Sequence, residues 1–194
     1  MNVLQTLPLW GHSLAQFQWG AVVCASLAAA VFDARTRRIP NLLTLGTLVA
    51  GLVWAFVACG LAGLAESLAA CLFLGFPFVL LWVFGGGGAG DAKLMGGLGA
   101  WLGLANGVIT LLAVLISGAV LGLMLAVYRG QIFRVLGNMR DVAVFLTVGM
   151  WHRATLSRRP QLPEIQGLPM PYGISIFCGV LIAAAGVMLW HTHI

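Results

Sequence analysis

Two carboxylates stand out in a chain that carries almost no charge. Asp33 lies in the run FDARTRRIPN (32–41), and Asp91 lies inside the glycine-rich stretch GGGGAGDAKLMGG (85–97). Carboxylates that share a site cannot both ionise cheaply, so one keeps its proton while the other acts as a base. Such a pair can draw a proton from a water that attacks a peptide carbonyl. The protonated member hydrogen-bonds the carbonyl oxygen and later helps the amine leave. No metal or cofactor is needed for this chemistry. The same residues also admit structural readings. Asp33 can be a helix-end carboxylate paired with Arg35 or Arg37, and Asp91 can be the N-cap of a following helix.

What must position these groups is set by composition. Of the 194 residues, 61% are apolar and 8% charged, with a mean hydropathy of +1.02. Soluble domains run at roughly 45–50% and about 25%. Charge-poor stretches of about 20 residues recur, the length that crosses a ~30 Å hydrocarbon core. The chain therefore reads as a single membrane-embedded domain, 1–194, all-α and polytopic. Glycine-rich backbone at membrane depth survives only where it is buried in protein or lines a wet cavity, and an ionisable group there points to function. Glycines beside Asp91 would let an extended substrate backbone come close.

Six spans are expected, at about 17–32, 42–60, 64–84, 92–104, 108–128 and 172–190, the fourth being short for a full crossing. Tight turns at 61–63 and 105–107 separate two of the pairs. Pro40 and Asn41 read as a helix start, with proline in the first turn and Asn41 able to cap. The long polar connection 129–171 holds six arginines and four prolines. Within it, 132–151 reads as an interfacial amphipathic helix rather than a seventh span. With both termini outside, the cytoplasmic segments 33–41, 85–93 and 129–171 contain all ten Lys and Arg residues, as the positive-inside bias asks. That topology sets Asp33 and Asp91 on one membrane face at similar depth.

The net charge of +5 is thereby explained by loops, and no basic–aromatic interleaving suggests nucleic acid as a partner. Cys24, Cys59, Cys71 and Cys178 fall in apolar runs without CxxC pairing, and read as small helix-packing residues rather than a zinc site or disulfide framework. No basic segment precedes the first span, so it reads as a retained helix rather than a signal peptide. Glu66 reads as a helix N-terminal carboxylate, and Asp141 and Glu164 as loop charges. Lys93 is placed to orient Asp91 or contact substrate, although snorkelling to the interface explains it as well. His12, His152, His191 and His193 show no ligand spacing. A rival reading is a small transporter or assembly component whose aspartates relay ions or hold helices together. Against transport, the acids lie at a membrane face, and no internal repeat is evident.

Several of these residues carry a family resemblance. Gly88-Ala89-Gly90-Asp91 matches the GxGD signature of membrane aspartic peptidases, and Ala92-Lys93-Leu94-Met95 continues as in type IV prepilin peptidases. Asp33 precedes a basic, proline-containing run ending Ile39-Pro40-Asn41, as an earlier aspartate does in that family. Pro171-Tyr172-Gly173 is similar to a segment at the start of the family's last helix. The resemblance implies a multi-pass aspartic endopeptidase of the inner membrane, working at the cytoplasmic face without a cofactor. It would remove the short basic leader from prepilins or pseudopilins, with membrane lipids as its other partners. Asp33 and Asp91 would be the catalytic pair. Gly88, Gly90, Lys93, Pro40, Asn41, Pro171, Tyr172 and Gly173 would bind substrate or shape the site. Larger members carry an N-terminal segment with paired cysteines and also N-methylate the new pilin terminus. This chain looks like the short, peptidase-only form of Flp/Tad-type pilus systems, and methylation is not expected of it.

Overall fold

The computed structural model describes residues 11–83, 88–128, 130 and 172–192, with side chains over 16–83, 88–128, 130 and 172–189. Four helices make up nearly all of it: α1 (Gly11–Thr36), α2 (Asn41–Val83), α3 (Ala89–Tyr128) and α4 (Tyr172–Thr192). All four contain stretches long and apolar enough to cross a membrane. The amphipathic helix expected over 132–151 lies outside the described residues. Two compact units are present, 1–118 with 171–194, and 119–170. The second is described over 119–128, the final turns of α3, and Gly130.

At 43 and 40 residues, α2 and α3 are about twice the length of a crossing. Each is broken once, at a glycine in the left-handed region: Gly60 (φ 61°) in α2 and Gly103 (φ 68°) in α3. Only glycine reaches that region without steric cost. Both breaks reverse the chain. A Cβ on Gly63 would lie 2.5 Å from the Ala55 carbonyl oxygen, whereas eight residues of straight helix span ~12 Å. Likewise Leu74 lies within 3.2 Å of a Cβ built on Gly99 and within 2.9 Å of one on Gly107, on either side of the second break. The turns expected at 61–63 and 105–107 are thus each shifted toward the N-terminus and shortened to one non-helical residue.

The segment 89–102 is the centre of its unit. Hydrophobic residues all round a helix mean burial on every side, and here Ala92, Leu94, Met95, Leu98, Ala100 and Leu102 are all buried. Its glycines let neighbours approach to backbone distance. A Cβ on Gly97 would meet the Leu48 nitrogen at 3.2 Å, one on Gly99 the Ala70 carbonyl oxygen at 2.6 Å, and one on Gly96 the Cys71 sulfur at 3.2 Å. Small residues on one face are how helices approach closely where no hydrophobic effect drives them together. A rod of this kind, ~20 Å long, is wrapped by both arms of α2 and needs no full crossing length.

Burying the end of that rod creates a hydrogen-bonding problem, because the carbonyls of a last turn have no partner within the helix. Side chains from elsewhere take them up. Ser67 donates to the Ala100 carbonyl and Gln18 to the Trp101 carbonyl. The Trp101 indole N–H in turn donates to the Thr47 carbonyl at 2.9 Å. On the outside of the unit, Leu42, Val57, Leu61 and Leu72 are among many large apolar side chains left exposed. In water, patches of this extent mark an interaction surface; on these helices they are the lipid-facing side.

Helix α4 lies along α1 and presses on α3 through Gly179, where a Cβ would stand 2.4 Å from the Val114 Cα. Gly179→Ala is therefore expected to lower stability by about 1–3 kcal/mol, the usual range for overpacking. Gly186→Ala, with no neighbour within 4 Å, should leave it unchanged. Thermal unfolding of the two variants in detergent checks this.

Candidate functional site

The two aspartates reach one place from opposite helix ends. Asp33 sits in the last turn of α1, one turn before the chain leaves the helix. There the Arg37 N–H donates to the Asp33 carbonyl at 2.9 Å, and Arg37 takes a left-handed conformation (φ 53°). That geometry is a helix C-cap of the kind glycine usually provides. A carboxylate at a helix C-terminus faces the wrong end of the dipole. The compensation comes from α4: the Gly173 N–H donates to Asp33 Oδ2 at 2.8 Å, across 140 residues of sequence. First-turn N–H groups lack helical partners, so Asp33 serves as the cap of a helix far from its own.

Asp91 is anchored the same way within its own segment. The Gly88 carbonyl accepts from the Asp91 and Ala92 N–H groups at 3.1 and 3.4 Å, which makes Gly88 the cap residue and Asp91 the third residue of the helix. Its Oδ2 accepts from the Gly88 N–H at 3.2 Å. This is the reciprocal arm of a capping box, one turn further in than the N-cap reading of the sequence. Asp91 is only 7% exposed. Asp33 is near enough for its charge to act on Asp91, and Asp91 acts in turn on the half-buried Tyr172. Consecutive residues at the head of α4 thus lie near both acids, Gly173 hydrogen-bonded to Asp33 and Tyr172 within electrostatic range of Asp91.

The remaining expected site residues divide. Lys93 donates to Asn41 Oδ1 at 2.9 Å, tying the first turn of α3 to the start of α2. Asn41 is accordingly not a cap: the Pro40 carbonyl accepts from the Leu43 and Thr44 N–H groups, so the cap position is Pro40 and Asn41 begins the helix. The glycines prove to be shaped by the chain itself. A Cβ on Gly90 would meet Ile39 at 3.2 Å, one on Gly88 would meet the Asp91 carboxylate at 3.0 Å, and one on Gly173 would meet the Asp33 Cβ at 2.8 Å. The Cβ positions at Gly88 and Gly90 are thus taken by Asp91 and Ile39. Pro171, Asp141, Glu164, His152 and His193 lie outside the described residues, as do the side chains of His12 and His191. All four cysteines are unpaired. Among the described residues, no three of His, Cys, Asp and Glu converge as a metal site would require.

Sequence reasoning missed Gln18 and Ser67, the residues that close the end of the central rod. The signal was present as two polar side chains inside otherwise apolar runs. Glu66, read as a helix N-terminal carboxylate, lies several residues beyond Gly60 and borders a separate cleft.

The type IV leader peptidase family matches residues 20–123, more than half of the chain and a stretch that contains both aspartates. The chain belongs to that family. It is similar to the prepilin leader peptidase/N-methyltransferase of Burkholderia pseudomallei, with 36% identity over 134 residues in the proteins of strains 1026b and K96243. That alignment covers 64% of this chain and 42% of the relatives, so the match extends over less than half of their length. No solved structure matches.

The seat of Asp33 on α4 gives a direct test. Gly173→Ala should cost about 1–3 kcal/mol of stability by crowding the Asp33 Cβ. In a double-mutant cycle, Asp33→Gly removes the crowding atom and should couple with Gly173→Ala by more than ~0.5 kcal/mol. Strictly additive losses in thermal unfolding would show that the two residues do not touch.

Proposed function

We propose that this chain is a membrane aspartic endopeptidase that removes the short basic leader of type IV prepilins or pseudopilins. The observation that carries the reading is that two carboxylates 58 residues apart in sequence lie within electrostatic range of each other, each held through one oxygen by a backbone N–H. A carboxylate has two oxygens and about four lone-pair sites. Anchoring one oxygen of each acid leaves the other for reaction. The ionised aspartate takes a proton from water, whose oxygen attacks the scissile carbonyl carbon. The protonated aspartate donates a hydrogen bond to the carbonyl oxygen as charge develops there. Collapse of the tetrahedral adduct breaks the C–N bond, and the amine leaves with a proton from the pair. Family membership and the printed name of the relatives support the choice of substrate. Of the two activities in that name, cleavage is the one proposed for these aspartates.

In this reading the four apolar helices, two of them reversed at glycine, make six membrane spans with both termini outside. The aspartates then face the cytoplasm of a cell with an inner membrane. The basic segments 35–38 and 129–159 mark that face by the positive-inside bias. Lys93 and Asn41 together hold the loop of Ile39 against Gly90, beside the pair. Tyr172 lines the same mouth.

A cleavage assay in membranes tests the reading, with a prepilin bearing a basic leader and glycine at the cut. The wild type should shorten the substrate. Asp33→Asn and Asp91→Asn, at matched protein levels, should lose cleavage by at least ~10²-fold, the lower end for a positioned acid or base. Retained cleavage in either variant would remove that residue from the catalytic pair.

A further inference from the structure

The two aspartates are not equivalent in their surroundings. Asp91 is 7% exposed and is reached by one backbone N–H, that of Gly88 at 3.2 Å. Asp33 is half-buried and accepts a shorter bond, from the Gly173 N–H at 2.8 Å. We propose that Asp91 holds the pair's proton and acts as the acid, while Asp33 is the ionised base that draws on water. The roles rest on the peptidase reading; the place of the proton rests on what surrounds each acid.

Burial penalises the charged form of a carboxyl and leaves the neutral form nearly untouched. The groups that act on Asp91 bring it no positive charge. Asp33 arrives from α1 with a like charge, and Tyr172 from α4 with a neutral phenol. Lys93, on the same helix as Asp91, gives its ammonium to Asn41 Oδ1. Helix α2 passes close to Ala92 at Gly75 and has no charged residue from there to its end at Val83. The N-terminus of α3 does favour a charge at Asp91, but a terminal dipole changes proton affinity only a few-fold, against roughly 10³-fold or more for deep burial. Burial decides the matter at Asp91.

At Asp33 the balance runs the other way. Its own helix presents the unfavourable end of a dipole, and the first turn of α4 offsets this with an N–H aimed at Oδ2. Arg35, Arg37 and Arg38 follow within five residues and are all exposed. Being only half-buried, Asp33 keeps part of its solvation and is the acid nearer to water.

In the reaction, Asp33 takes a proton from water as the water oxygen bonds to the scissile carbonyl carbon. The Asp91 proton passes to the carbonyl oxygen, giving a neutral tetrahedral diol. Asp33 then protonates the amine nitrogen, the C–N bond breaks, and one diol hydroxyl returns its proton to Asp91. Each acid ends in the state in which it began.

The test is carbon-13 NMR of the full chain in micelles, labelled at the aspartate carboxyl carbons and titrated without substrate. Asp141→Asn removes the third and last aspartate signal. Adding Asp33→Glu or Asp91→Glu then assigns the other two while keeping a carboxylate at each position. Coupled sites titrate as a pair, so the quantity read is which signal moves in the first ionisation step. A proton held on Asp91 tenfold more often than on Asp33 puts about nine-tenths of that step on the Asp33 signal. A first step carried mainly by Asp91 overturns the proposal, and so does one divided equally. Cleavage is read separately with Asp33→Asn and Asp91→Asn. Retained cleavage in either would end the catalytic roles whatever the titration shows, which separates failure of the peptidase reading from failure of the proton assignment.

Discussion

An apolar surround offers no water to an unpaired amide or carbonyl, and this protein is arranged around meeting that demand at helix ends. Within a helix the backbone satisfies itself. At each end it cannot, and in a chain that reverses so often the ends are many. The solutions fall into two sets with opposite polarity. Where the central rod stops, at Gly103, side-chain donors from Gln18 and Ser67 come to the exposed carbonyls. Where the rod and α4 start, carboxylates come to the exposed N–H groups, Asp91 to Gly88 and Asp33 to Gly173. The acids are therefore parts of the architecture before they are parts of any reaction, and burial and electrostatic support arrive together.

Much of this was legible in the residues. The order of apolar runs and the ends of the last helix followed from composition and from the charge placement. Gly60 and Gly103 were harder. Both lie among 26 glycines, several of which serve helix packing, and nothing in one sequence separates a glycine chosen for its φ from one chosen for its small size. The turns were accordingly placed at 61–63 and 105–107, on clusters that look like turns but remain helical. The Pro40–Asn41 start was misread by one position for a related reason. Asparagine is a good cap in general, but here its side chain is engaged by Lys93 from another helix, a tertiary fact that local propensity does not contain.

The glycines near the aspartates illustrate the same limit. A bare Cα in sequence announces that something comes close, without saying what. At Gly90 it is Ile39, and at Gly173 it is Asp33 itself. Both contacts join segments distant in sequence, and they fix the loop at Ile39 and the side chain of Asp33. The small residue and the side chain it admits are two halves of one contact, which is why a motif centred on Asp91 alone describes only part of the local packing.

The bond from Gly173 to Asp33 also has a temporal side. Ribosomes deliver this chain from the N-terminus, so both aspartates enter the bilayer while the helix that seats the first of them is still unmade. Until Tyr172 and Gly173 emerge, Asp33 is a carboxylate at the unfavourable end of its own helix, with no N–H to hold it. The acid pair is thus completed by the last helix described, and a half-made chain carries both acids without the geometry that joins them.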